Sequence, residues 1–147
     1  MENTNDGSRV VLFRGKPLFN NYFFVHGSLI ISPFQHYIRV YRETYKHEEY
    51  VVEHKTIGQF TGFTDMKGFS IYVGDIVEFV SEKDPNVKCK AEICMANGCW
   101  SMKIMEAYDG YEAGDIAIIL KRRNSGTIID DVEVIGNIHG IPKKSTT

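Results

Sequence analysis

At 147 residues, 43% of them apolar and 12% aromatic, the chain suits one folded domain or two small subdomains sharing a core, and its composition excludes intrinsic disorder. Its 17 basic and 19 acidic side chains leave no basic excess, which speaks against a protein whose main task is to neutralise nucleic-acid phosphates. No stretch approaches the ~20 apolar residues of a spanning helix, the start Met1–Arg9 is too polar for a signal peptide, and three cysteines, an odd number, fit free thiols in a reducing compartment; a cytoplasmic protein is expected.

Tyr, Phe, Val and Ile recur throughout, which favours strands. Residues 1–8 and 143–147 read as flexible tails. Val10–Phe13 is an apolar run ended by Gly15 and Pro17. Tyr22–Ile31 is a longer one, with Gly27 as a bulge or bend, and Ser32-Pro33 signals a turn. Tyr37, Arg39 and Tyr41 alternate with Ile38 and Val40, the period of a half-buried strand. The charged stretch Glu43–Glu49 reads as a loop or a short helical turn, and Tyr50–Val52 opens another extended piece.

From Ile57 the glycines Gly58, Gly62, Gly68 and Gly74 punctuate short strands and disfavour a helix interior. Asp65-Met66-Lys67-Gly68 reads as a hairpin turn with Gly68 at positive φ, and Ile71–Val80 as a strand interrupted at Gly74-Asp75. The clearest hairpin spans Val87–Met105. Asn97-Gly98 is the preferred pair for a two-residue type I′ turn; it sets Met95 against Trp100, Ile93 against Met102 and Ala91 against Ile104 on one face, and Glu92 against Lys103 on the other. Ile116–Leu120 is a further strand, Lys121–Gly126 a charged turn, and Thr127–Ile129 with Val132–Ile138 complete the sheet. Gly74-Asp75-Ile76-Val77 and Gly114-Asp115-Ile116-Ala117 echo one another, which we read as common strand-entry chemistry.

The stretch Thr56-Ile57-Gly58-Gln59-Phe60-Thr61-Gly62-Phe63-Thr64-Asp65-Met66-Lys67-Gly68, continuing to Ile71-Tyr72-Val73-Gly74-Asp75-Ile76-Val77, resembles the signature of the YopX family of phage and prophage proteins. Glu133-Val134-Ile135-Gly136-Asn137-Ile138 resembles that family's closing motif, and Phe13-Arg14-Gly15-Lys16 its opening one. The chain departs from the pattern at Phe63, at Phe69-Ser70 and at His139–Pro142, positions of surface and tail. The resemblance implies a phage or mobile-element protein in a bacterial host with a β-rich fold, and it implies no reaction. The expected architecture is mainly β, all-β or β-dominated α+β. A strand-rich N-terminal part covers residues 9–56, and the signature-bearing part, residues 57–142, is a twisted sheet or a small SH3-like barrel.

Two readings stand for the signature residues Gly58, Gln59, Gly62, Asp65, Gly68, Gly74, Asp75, Gly136 and Asn137. Preferred is a structural one, in which the glycines and aspartates hold turns and Gln59 and Asn137 bond backbone where strands separate. The alternative is a binding surface built around Gln59, Asp65 and Asp75. The cysteines, Cys89, Cys94 and Cys99, recur every five residues without the paired spacing of zinc ligands. The histidines are scattered, adjacent carboxylates in a strand point to opposite faces, and no phosphate-loop motif occurs. The sequence is therefore read as non-enzymatic, with no cofactor and no metal. The favoured function is a protein-interaction or assembly module, self-associating through strand edges or the N-terminal aromatics. The alternative is a nucleic-acid accessory protein in phage replication or regulation, touching phosphates through Lys121, Arg122 and Arg123.

Overall fold

A computed structural model describes residues 11–20, 22–43, 45–118, 124–125 and 128–142. The chain is β-dominated. Its strands are β1 (Phe13–Gly15), β2 (Val25–Ile31), β3 (His36–Glu43), β4 (Lys46–Val52), β5 (Gly58–Thr64), β6 (Ser70–Tyr72), β7 (Asp75–Val80), β8 (Lys88–Ala96), β9 (Cys99–Ile104), β10 (Ile116–Ile118), β11 (Asn124–Ser125), β12 (Ile128–Ile129) and β13 (Val132–Asn137). One 3-10 turn, His54–Thr56, is the sole helical segment among the described residues.

The strands form two sheets. The first runs β11-β12-β5-β1-β2-β3-β4, with β6 also on β5; the second runs β10-β9-β8-β7-β13. At Gly27, β2 changes partners. Its first residues pair with β1 (Gly15↔Val25, Phe13↔Gly27) and its last with β3 (Ser28↔Arg39, Ile31↔His36). Neither pairing shifts register there, so Gly27 is not a bulge. A Cβ at this position would stand 2.1 Å from the Arg39 carbonyl oxygen, and the glycine is what lets the two backbones meet.

The stretch Glu43–Glu49, expected as a loop or helical turn, is the β3–β4 hairpin instead. Opposite charges across the strands stabilise it: Arg39 donates through Nε and Nη2 to Glu49 Oε1 at 3.0 and 2.6 Å, and Arg42 Nη2 to Glu48 Oε2 at 3.2 Å. Alternation puts Arg39 and Glu49 on the face opposite Ile38, whereas Glu48, across from Val40, shares Ile38's face at the exposed end of the hairpin, a register that charge density along the sequence does not reveal. The end of β4 turns back beside the start of the chain. Leu18 N–H donates to Val51 O, and Glu53 N–H to Lys16 O. A small core of Val25, Ile38 and Val52 lies inside this curl.

The second sheet is built on the Asn97-Gly98 hairpin, with φ of 52° and 78° at the two turn residues as a type I′ turn needs. Every expected pair is found: Met95↔Trp100, Ile93↔Met102, Ala91↔Ile104 and Glu92↔Lys103. The main core lies on its inner face, where Val77, Phe79, Ala91, Ile93, Met102, Ile104 and Val134 pack with Ile71 and Ile129. The sheet is open, with β10 and β13 at its edges. Of the two expected forms it is thus a sheet; among the described residues no barrel closes. The outer edge of β13 is already occupied by the β5–β6 turn, because Val134 N–H donates to Asp65 Oδ2 and Met66 N–H to Val132 O. The short strand around Ile128, expected to finish the same sheet as Val132–Ile138, belongs to the first sheet, beside Thr64 of β5.

Between Tyr72 and Asp75 the chain passes from the first sheet to the second. Gly74 takes φ 95°, its N–H donates to Ile93 O, and its carbonyl accepts from Ile138 N–H. The echo at Gly114-Asp115 has the same local form. Gly114 has φ 94°, and Asp115 Oδ2 accepts the N–H three residues before it, from Glu112, as Asp75 Oδ2 accepts that of Tyr72. A shared turn explains the repeated tetrapeptide.

Candidate functional site

Arg14 sits in the apolar segment Leu12–Gly15 at the centre of the first sheet, where β1 is flanked by β2 and β5. A charge in such a place needs a partner. It has one in Asp75, the first residue of β7 in the other sheet, with Nη1 2.7 Å from Oδ1 and both side chains nearly fully buried. The guanidinium lies 4.1 Å from the ring centroid of Phe24 and 4.9 Å from that of Tyr72. Cation–π attraction is strongest where, as here, water is excluded. The other carboxylate oxygen, Oδ2, accepts the Tyr72 N–H at 2.8 Å. Nη2 reaches Val73 O at 3.4 Å, and Nε is buried without a hydrogen-bond partner among the described residues.

The electrostatics follow from burial. Burial pushes the Asp75 carboxyl up, while the Arg14 charge, the Tyr72 N–H and the hydrogen bond from Arg14 pull it back. Burial also drives the Tyr72 phenol up to about 12, so it stays protonated at neutral pH. His139, edge-on to Phe24, is pushed down by burial and by the Arg14 charge, which favours its neutral ring.

A cleft of about 390 Å³ opens over this cluster, walled by β1, β2 and β6 of one sheet and by β7 and β13 of the other. Residues from all three sequence motifs meet in it: Arg14 from the first, Tyr72 and Asp75 from the second, Gly136 and Asn137 from the third. Gly58 and Gly74 serve the same place. A Cβ on Gly58 would fall 2.3 Å from Val73 O, and one on Gly74 would fall 3.3 Å from His139 Nε2. Asn137 organises the chain below the cleft: its Oδ1 accepts from His139 and Ile141 N–H, and its Nδ2 donates to Ile141 O. The remaining signature residues lie away from the cleft. Gln59 pairs with Phe13 and accepts Val73 N–H through its carbonyl. Gly62 (φ 87°) lies in the irregular stretch of β5 and Gly68 (φ 86°) in the turn after it. Asp65 is fully buried; its Oδ1 accepts from Lys67 and Phe69 N–H and its Oδ2 from Val134 N–H. Lys121, Arg122 and Arg123 lie outside the described residues.

Sequence reasoning missed Arg14, Phe24 and Tyr72 as parts of one cluster. A signal for the first was present, since an arginine between Phe13 and Gly15 in an apolar strand must find a counter-charge. Nothing along the chain names Asp75, 61 positions later, as that charge. Cys89 is buried in the main core, Cys94 faces Ser101 across the hairpin, and Cys99 faces Ala96; all three are free thiols. Burial and neighbouring Glu92 push the Cys94 thiol up, away from the reactive thiolate. Among the described residues no three His, Cys, Asp or Glu side chains gather as metal ligands, and no helix is long and apolar enough to cross a membrane.

Fold and cleft define a two-sheet β protein whose sheets are locked together by a buried arginine–aspartate pair. The family model described as YopX protein matches residues 13–144, and the chain belongs to that family. No curated protein matches it.

Proposed function

We propose that this chain is a non-catalytic accessory protein of a phage or prophage, acting in the cytoplasm of the bacterial host as a protein-interaction or assembly module. The observation that carries the reading is the exposure of large aromatic side chains on the N-terminal part of the first sheet. Phe19 is 100% exposed, Phe34 94% and Tyr45 95%. Two of these belong to one end of the β2–β4 meander. Leu18, beside Phe19, bonds Val51, and Val52 pairs with His36 just after the turn that holds Phe34. Ile31, the last residue of β2, is exposed at the same end. Exposed clusters of this kind mark interaction sites, and aromatics are enriched at interfaces. The net charge of −2 adds no general attraction for phosphates.

Light scattering at micromolar concentration tests the reading. A mass above the 16.8 kDa of the monomer, returning to it in a Phe19→Ser/Phe34→Ser variant, supports self-association through this end. A clean monomer removes self-association and leaves a different protein as partner. A gel shift that survives moderate salt and ignores the double substitution favours the nucleic-acid reading instead.

A further inference from the structure

We propose that the cleft over Arg14 and Asp75 is a binding site for an uncharged aromatic ring bearing one hydrogen-bonding group, of the size of a phenol. At about 390 Å³ it falls in the size range of small-molecule sites, roughly 300–1,000 Å³. Its walls are mainly apolar and aromatic, with Leu12, Phe24, Phe69, Tyr72 and Val134 among them. Rings pack well against such walls, edge to face or offset. The floor is electrically closed, because Arg14 and Asp75 neutralise one another at 2.7 Å. An anionic ligand must compete with Asp75 for Arg14, and a cationic one with Arg14 for Asp75, so a neutral ligand is favoured. Polar groups stand at the mouth instead, where Ser70 and His26 are exposed.

Gly136 is the telling residue. Gly27 and Gly58 are glycines because a backbone carbonyl would strike their Cβ, and Gly68 and Gly74 because their φ is positive. Gly136 has neither of these reasons, although it sits where the β13–β7 register shifts after Val134. Its φ lies outside the left-handed region, and a Cβ there would meet no heavy atom within 4 Å. It lines the cleft. A side chain at this position would therefore extend into the cleft and take up the room a ligand would use.

Two sources carry this chemistry: a free aromatic compound, and a tyrosine side chain presented by a polypeptide. The test is a titration of the full isotope-labelled chain, followed by amide proton–nitrogen spectra, with p-cresol as the neutral probe and benzoate and benzylamine as charged ones. p-Cresol is expected to shift the amides of Leu12, Ser70 and Gly136 with a dissociation constant of about 1 mM, ordinary for so small a ligand. Gly136→Val should weaken it at least tenfold and Gly136→Ala less, with the rest of the spectrum unchanged. Ser70→Leu, on the opposite wall, repeats the block from an exposed position in case the β13 substitution disturbs the strand. Benzoate and benzylamine should bind at least tenfold more weakly. N-acetyl-tyrosinamide binding more tightly than p-cresol identifies the polypeptide source, and weaker binding the free compound. The Phe19→Ser/Phe34→Ser variant should bind p-cresol unchanged, which separates this site from the aromatic end. No shift at about 10 mM p-cresol, shifts confined to other residues, equal binding of benzoate, or full binding by the folded valine and leucine variants would overturn the proposal.

Discussion

Replacing Asp75 with alanine leaves the Arg14 guanidinium buried with its counter-charge gone. At 2.7 Å, and with an effective dielectric of ~20, the attraction between the two charged atoms is about 6 kcal/mol. Desolvation of both groups offsets most of that in the intact pair, but the truncated protein keeps the cost of burying Arg14 without the gain. Breaking one side of such a pair typically costs about 3–5 kcal/mol, a large part of a domain's total stability of about 5–15 kcal/mol. At ~2–4 °C per kcal/mol for a chain of this length, the melting midpoint should fall by about 10 °C. Arg14→Met should behave differently, since the group left behind can take up a proton. Burial already pushes Asp75 up and Arg14 is among the forces pulling it back, so removing Arg14 raises it further. A carboxyl whose folded-state value lies above the unfolded 3.8 contributes most below that pH and loses stability as pH rises through the folded value. Arg14→Met should therefore be closest to wild type near pH 4 and fall behind as pH rises to 7, whereas the Asp75→Ala deficit should narrow over the same range, because only the chains that keep Asp75 carry the raised carboxyl. The double variant should lose less than the sum of the single losses. Urea unfolding followed by Trp100 fluorescence, repeated across this pH range, measures all three. Additivity within about 0.5 kcal/mol, or an Arg14→Met deficit that does not change with pH, would show that the two groups do not act as a buried charge pair.

Asp65→Ala removes the acceptor of three backbone N–H groups, two in the β5–β6 turn and one on β13; a loss of about 3 kcal/mol or more is expected in urea unfolding, with Asp65→Asn between it and wild type. Gly27→Ala drives a methyl against the Arg39 carbonyl and should cost about 1–3 kcal/mol, whereas Ser28→Ala, at the next and exposed position of β2, should stay within ~0.5 kcal/mol in the same measurement. Alkylation of the native protein read by mass spectrometry should modify Cys99 first, Cys94 more slowly because its thiol is pushed up, and leave Cys89, 3% exposed, unmodified until the chain unfolds.

Much of the fold is legible in the residues because it rests on local chemistry. Asn97-Gly98 dictates a type I′ turn, and the turn dictates the register of every pair in the β8–β9 hairpin. Gly68 announces positive φ, Gly74-Asp75 an interruption of its strand, and the alternation of Tyr37–Tyr41 a strand. The β3–β4 hairpin is hidden, because Glu48 and Glu49 put charge on both of its faces, and the run Glu43–Glu49 reads equally well as a solvated turn until the cross-strand partners are known.

The candidate site divides along the same line. The motifs carrying Arg14, Asp75 and Gly136 can be picked out one by one, together with the family to which they point and the β-rich class. Local chemistry thus settles the Asn97-Gly98 and Asp65–Gly68 turns, the β class and the identity of the motif residues. The change of sheets at Gly74, the Asp65 turn on the edge of β13 and the meeting of Arg14 with Asp75 beneath a common cleft come from packing alone. The difference is one of range. Turn geometry depends on a residue and its immediate neighbours, whereas a buried charge pair depends on which strands lie side by side, and that is settled by packing two sheets against one another.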